Sequence, residues 1–337
     1  MSDTRPSNIP SVVDRTRPVA AGGSAIAAHF LGDQTAFVLA EDAALLVGPD
    51  GSSQRIALHE GGILSSAGDG TRMVTGGDDG KVMEIDRAGA VRTIFADSAK
   101  KWIDHVALGP DGAIAWSSGK IARTANRTGE VKSLELPSTA GGLVFMPKGF
   151  RLAIAHYNGA SLWFPNAQAR PESLEWKGSH LGVTVSPDGR FVVTTMQEPM
   201  LHGWRLADGK HMRMSGYATR VRSMDWTADA AFLATSGSDQ LILWPFSGKD
   251  GPMGKQPTIL APHAKRLAVV ACHPKQPVVA AGYEDGLVLL VRLDDGAEVL
   301  AHPPDLDTTV TALAWSGDGL RLAFACEDRA AGILDLA

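Results

Sequence analysis

Cysteine is nearly absent. The 337 residues hold two, Cys272 and Cys326, which excludes a disulfide framework and a zinc site made of four thiolates. No apolar run approaches the ~18 residues that a membrane-crossing helix requires. The opening stretch, MSDTRPSNIPSVVDRTRPV, has no apolar h-region and does not read as a secretory signal. An excess of basic residues is also missing. Lys and Arg number 32 against 37 Asp and Glu, and a net charge of −5 argues against a DNA-wrapping protein. At 44% hydrophobic and 20% charged, the chain is neither disordered nor fibrous. Its length allows two ordinary domains or one large all-β or repeat domain, with core enough to need no disulfide or metal staple. These absences describe a soluble, cytoplasmic protein as the expectation.

What the sequence has is an internal repeat. SPDGRFVVT at Ser186–Thr194 returns as GDGTRMVTGGDDG from Gly68, GPDGAIAWSSG from Gly109 and MPKGFRLAIAHYNG from Met146. It returns again as TADAAFLATSGSD from Thr227, HPKQPVVAAGYEDG from His273 and SGDGLRLAFACED from Ser316, with a fainter first copy from Leu31. The residues just before these turns are Phe30, Ser66, Leu108, Phe145, Val185, Trp226, Cys272 and Trp315, spaced by about 36 to about 46 residues. A period near 40 built of short strands is the signature of a β-propeller with four strands per blade. One copy shows why. Val221–Trp226, Ala231–Thr235, Leu241–Trp244 and Pro257–Leu260 are short apolar or β-branched runs between Gly, Asp, Ser and Pro clusters, hence strands and hairpins.

The copies resemble WD40 repeats over nearly the whole chain. The SPDG-like turn follows the first strand, and a [ST]-G-x-x-D-like turn follows the second. The closing Trp survives as Trp163, Trp204 and Trp244, and the closing Asp as Asp86 and Asp335. The turn aspartate appears as Asp79, Asp239, Asp285 and Asp328. The family's histidine position holds His263 in one copy and Tyr217 in another. The resemblance therefore implies an intra-blade hydrogen-bond network nearest completion in Tyr217, Thr235, Asp239 and Trp244. The degenerate, Ala-rich, single-domain form is similar to bacterial members of the family.

Eight copies predict an all-β, eight-bladed propeller, with seven blades as the alternative if the first copy is not a complete sheet. The expected domain is single, 1–337, with blades at about 24–60, 61–98, 102–137, 140–176, 180–215, 220–261, 266–301 and 309–337. The last copy ends without its outer strand, and 11–21 is unused. The N-terminal stretch is therefore expected to supply that strand and close the ring, which removes exposed sheet edges.

Motifs that carry chemistry are few. GPMGKQP at Gly251–Pro257 has no Walker spacing and reads as a loop, and no GxGxxG, GxSxG, HExxH or EF-hand loop is present. Asp-rich turns such as Gly77–Gly80 read as turn chemistry rather than calcium sites. The acids occupy repeat turns, and none stands out as a catalytic carboxylate. Met196–Met214 holds four Met and two His, a composition suited to packing, to an adaptable partner surface or to a soft metal. Cys272 and Cys326 read as buried thiols.

The resemblance places the connections on the narrow face, which usually receives partners. Mapped there are Lys100, Lys101, Trp102, His156, Tyr157, Lys177, His180, Tyr217, Arg220, Arg222, Lys265 and Arg266. Aromatics and Arg are enriched in binding hot spots, and a basic arc suits an acidic or extended segment of another protein. The expected function is a non-catalytic, monomeric scaffold for protein–protein interaction, without catalytic residue, cofactor or metal, and with nucleic acid and membrane disfavoured as partners. Two alternatives remain, a propeller that binds a small ligand or metal and a hydrolase or lyase at the channel mouth.

Overall fold

The computed structural model describes residues 9–305 and 308–337. Contacts divide it into two compact units. The first comprises Thr35–Leu39, Tyr217–Ala337 and the described part of Met1–Phe30, and the second Leu31–Gln34 with Ala40–Gly216.

The first unit opens with β1 (Thr16–Ala20), β2 (Ala25–Leu31) and β3 (Gln34–Leu39). After Tyr217 it continues with β20 (Met224–Trp226), β21 (Phe232–Thr235), β22 (Leu241–Pro245) and β23 (Thr258–Leu260). Next come β24 (Leu267–Cys272), β25 (Val278–Tyr283), β26 (Val288–Arg292) and β27 (Glu298–His302), and last β28 (Val310–Trp315), β29 (Arg321–Cys326) and β30 (Ala330–Asp335). The second unit holds β4 (Ala43–Val47), β5 (Ser53–Ala57), β6 (Ile63–Gly68), β7 (Arg72–Gly77), β8 (Lys81–Asp86) and β9 (Val91–Ala96). It continues with β10 (His105–Leu108), β11 (Ile114–Ser118), β12 (Ile121–Ala125) and β13 (Val131–Glu135). It ends with β14 (Gly142–Phe145), β15 (Leu152–Trp163), β16 (Glu172–Val185), β17 (Phe191–Met196), β18 (Met200–Arg205) and β19 (His211–Ser215).

Hydrogen bonding joins these strands into seven antiparallel sheets, not the eight that the repeat count predicts. Six have four strands: β2–β5 (divided between the units), β6–β9, β10–β13, β20–β23, β24–β27, and β1 with β30, β29 and β28. The seventh runs β14 to β19 and contains both the fourth and the fifth sequence copies. They merge because β16 is shared. Its first half pairs with β15 and its second half with β17. Between Glu172 and Val185 there is no proline and no aspartate, and Gly178, at positive φ, and Gly182 are accommodated within the strand. A register shift at His180/Gly182 absorbs the change of partner. Backbones approach closely here. A Cβ on Gly141 would lie 2.0 Å from the His180 carbonyl oxygen, so no larger residue fits.

The turns after the first strands explain why the repeat is so legible. Ser186 Oγ donates to Asp188 Oδ1 at 2.6 Å and accepts the N–H groups of Arg190 and Phe191. Thr227 with Asp229 and Ser316 with Asp318 repeat this arrangement at 2.6 and 2.5 Å. A buried hydroxyl thus satisfies backbone donors that the turn frees from the ladder.

Within each unit, sheets hide apolar faces against one another. In the first unit, Val279, Ala281 and Tyr283 of β25 pack with Leu241, Leu243 and Leu267. The opposite set, Ala280, Val288 and Leu290, packs with Val310, Leu322 and Phe324. In the second unit, Trp116, fully buried, lies with Val74, Val82 and Ile103. Each such large aliphatic side chain stabilises the fold by roughly 1.5–3 kcal/mol. Alanines on the second strands, such as Ala153, Ala155, Ala323 and Ala325, are 0% exposed and let the sheets come close.

The expected terminal pairing is present. β1 pairs with β30 from Thr16↔Leu334 to Ala20↔Ala330 and supplies the outer strand of the last sheet. The residues before it do something else. Ser11 bridges in parallel to Leu300, Val12 N–H donates to the Leu300 carbonyl at 2.9 Å, and Leu300 N–H donates to Pro10 at 2.8 Å. The N-terminal stretch therefore extends two sheets, not one. Removing the first ~22 residues should lower the melting temperature by roughly 10 °C, since several ladder bonds worth about 1 kcal/mol each are lost. A truncated chain that melts like the full one in calorimetry contradicts this role for β1.

Candidate functional site

Polar side chains inside the sheets form hydrogen-bonded clamps. The most complete is in the β6–β9 sheet. His59 Nδ1 meets Asp79 Oδ1 at 2.9 Å and its Nε2 meets Thr75 Oγ1 at 2.8 Å. Asp79 also accepts the N–H groups of Glu60 and Lys81. Burial works to raise the Asp79 carboxyl, yet the bonds from His59 and these N–H groups prevail and hold it below the usual range. The order Thr, His, Asp invites comparison with a nucleophilic triad. All three side chains are buried, however, so the hydroxyl faces no substrate.

In the β20–β23 sheet, Trp244 Nε1 donates to Tyr217 Oη at 2.7 Å, and Tyr217 Oη meets Thr235 Oγ1 at 2.8 Å. Burial pushes the Tyr217 phenol up. Asp239 stands apart from this network. It is exposed, and its carboxylate takes bonds from Ser238 and Gln240. Asp285 accepts from His263 at 2.6 Å, whereas Asp328 is exposed and accepts the Ala330 N–H. Trp163 and Trp204 are buried, packed in the cores beside β15 and β18.

The twelve rim residues separate into two kinds. His156 bonds Ser161 at 2.9 Å, His180 bonds Thr194 at 2.7 Å, and Tyr217 bonds as above; all three are buried. They clamp strands within sheets and are not available to a partner. Lys100, Lys101, Trp102, Tyr157 and Lys177 of the second unit are exposed, as are Arg222, Lys265 and Arg266 of the first. Arg220 is half-buried, Arg266 is paired with Glu284 at 3.0 Å, and Lys100 with Glu60 at 3.6 Å.

Residues 270–337 match the family model of the anaphase-promoting complex subunit 4 WD40 domain. Over these residues, about a fifth of the chain, the protein is similar to a WD40 domain, and its seven sheets are those of a β-propeller. No curated protein matches it. The matched residues span the β24–β27 sheet from Val270, in the middle of β24, and all of the last sheet except β1.

His59 is the clamp residue that the repeat pattern did not reveal. A usable signal exists. His59 precedes Asp79 by 20 residues, as His263 precedes Asp285 by 22. Among the described residues no group of three or more His, Cys, Asp or Glu stands where it could hold a metal ion, and no helix is long and apolar enough to cross a membrane. A cavity of about 420 Å³ lies beside Asp111, Asn126 and Phe150. Its polar lining is largely satisfied internally, with Lys132 on Asn166 at 2.8 Å and Asn126 on Glu130 at 3.2 Å.

Asp225 is a carboxyl displaced upward by burial. Burial pushes it up to about 6 against the N–H groups of Cys272 and Trp226, which pull the other way. Its Oδ2 accepts Cys272 N–H at 2.7 Å, which bolts β20 to β24 of the next blade, next to Ser223, which bridges to Val270. Burial, then the Asp225 charge, raises the Cys272 thiol. The folded protein binds the Asp225 proton more tightly than the unfolded chain, whose carboxyl keeps the ordinary 3.8. This group therefore favours folding at low pH, and roughly 3 kcal/mol is lost as pH rises from about 4 to about 6. Asp225→Asn should remove that slope. Urea midpoints measured from pH 4 to pH 7 should then fall less for the variant than for the wild type. Parallel curves contradict the assignment.

Proposed function

We propose that the protein is a non-catalytic scaffold that captures another protein through loops of its propeller. The observation that carries this reading is an exposed tryptophan held in a fixed loop. Trp102 is 61% exposed, the most of any large apolar side chain among the described residues. Its loop is pinned on both sides. Asp97 Oδ1 accepts the N–H groups of Ala99 and Lys101, and Ile103, 0% exposed, donates its N–H to Gly77. Tyr157, 58% exposed, stands in the same unit, where β15 bends at Asn158 and Gly159, both at positive φ. Its N–H is fixed on Ser138 Oγ at 2.8 Å. Exposed aromatics on ordered backbone lose little entropy on binding and are the typical anchors of interfaces.

Lys101 beside Trp102, and Arg222 and Lys265 on the other unit, favour an acidic or extended segment as partner. The likeness of 270–337 to a domain of a multi-subunit complex agrees with a place in an assembly. The channel-mouth hydrolase has no comparable support, since the carboxyl best placed by its shift, Asp225, bolts two strands together.

Partners recovered from the native organism by affinity capture and identified by mass spectrometry provide the test. Trp102→Ala with Tyr157→Ala should weaken the recovered partner's binding at least tenfold, as a hot-spot pair does. Charge reversal at Arg220 and Arg222 should weaken it by a smaller factor, with salt dependence. Melting temperatures should stay within about 2 °C of wild type, because the aromatic rings are exposed. Equal binding by wild type and the double variant overturns the proposal.

A further inference from the structure

Two buried N–H donors without an acceptor belong to neighbouring side chains of the β10–β13 blade. Trp116 of β11 lies directly opposite Arg123 of β12, so both project from one face of the sheet with adjacent Cβ atoms. Trp116 is 0% exposed, and its Nε1 has no hydrogen-bond partner among the described residues. Arg123 is half-buried, and its Nη1 is buried and equally unpartnered. One ring from the β6–β9 sheet touches both. Phe95 of β9 lies 5.1 Å from the indole between centroids, and the guanidinium carbon of Arg123 sits 5.3 Å from the centre of the same ring.

A guanidinium stays charged, and burying part of it without a counter-charge is unfavourable. The face of Phe95 attracts the cation but accepts none of its in-plane N–H bonds. Nearby acids do not supply the missing charge. Glu84 of β8 is already held by Arg72 and, at 2.8 Å, by Arg92. Glu135 shares the Arg123 face at the end of β13, but it is exposed, and Arg123 makes no ion pair among the described residues. The other side chains packed around Trp116, among them Val74, Val82, Ile103 and Val106, are apolar and offer no acceptor.

We infer that Arg123 and Trp116 hold a small monovalent anion, a halide ion or a single carboxylate group, at the seam of the β6–β9 and β10–β13 sheets. An indole N–H only donates, so an acceptor is the partner it can take. Bonds from a guanidinium to an anion are charge-assisted, and the apolar lining strengthens them. Ser133, opposite Arg123 on the edge strand β13, is short and exposed, which leaves the guanidinium reachable from outside. The site shares no residue with the partner-binding loops.

The test follows the NMR linewidth of chloride while the full chain, in chloride-free buffer, is titrated with sodium chloride. Broadening beyond that of free chloride should saturate with one site per chain. Arg123→Gln removes the charge, and Trp116→Phe removes the indole donor while keeping a ring. Each should weaken binding by roughly tenfold or more, as lost bonds to a charged group do. Arg123→Lys keeps the charge without the planar fork and should fall between. Displacement by an equal concentration of acetate assigns the site to a carboxylate group, and retention of chloride assigns it to a halide. Should Trp116→Phe fail to fold, the variants at half-buried Arg123 carry the test. Broadening that does not saturate, or affinity equal to wild type in Arg123→Gln or Trp116→Phe, overturns the site and leaves water as the acceptor.

Discussion

The ladder between Thr16–Ala20 and Ala330–Asp335 is the constraint on which the last sheet depends. It joins residues more than 300 positions apart, so its loop-closure entropy is offset only when the intervening sheets are already stacked. Without β1, the strand β30 would present free N–H and C=O groups and an uncovered edge. The parallel contact of Ser11 and Val12 with Leu300 holds the same stretch against the preceding sheet. The other sheets pair strands that follow one another in sequence, so this ladder is the pairing that must wait for the rest.

Within that frame, polar chemistry divides by position. Hydroxyl–imidazole–carboxylate clamps such as His59–Thr75–Asp79, and hydroxyl clamps such as Tyr217–Thr235, are buried and hold strands to each other. Asp225 and Ser223 bolt one blade to the next. Rigid sheets then leave the connections as the variable part, and there Trp102 is shown to solvent on fixed backbone, as Tyr157 is at the bend of β15. The reading as an interaction scaffold rests on this separation of a clamped interior from displayed aromatics.

Much of the fold was legible because the Ser/Thr–x–Asp turn does the same work in each copy, so Ser186, Thr227 and Ser316 mark strand ends directly. The N-terminal pairing was legible from a missing strand. The blade count was not. Spacing counts copies, whereas hydrogen bonding counts sheets, and β16 passes through the boundary between two copies with no proline or aspartate to end it. The rim residues were legible only in part. His156 and His180 lie within β15 and β16 rather than in connections, and like Tyr217 they turn inward to meet a hydroxyl. His59 escaped because it lies in a Gly-rich connection, and its partner is 20 residues away.

Amide hydrogen exchange on the full chain tests the central claim most directly. If β1 completes the last sheet, the ladder amides of β1 and β30 exchange only as slowly as those of β28 and β29, through opening of the whole sheet. Fast exchange throughout β1 while β28 and β29 remain protected would show that the N-terminal strand is not what holds the fold together.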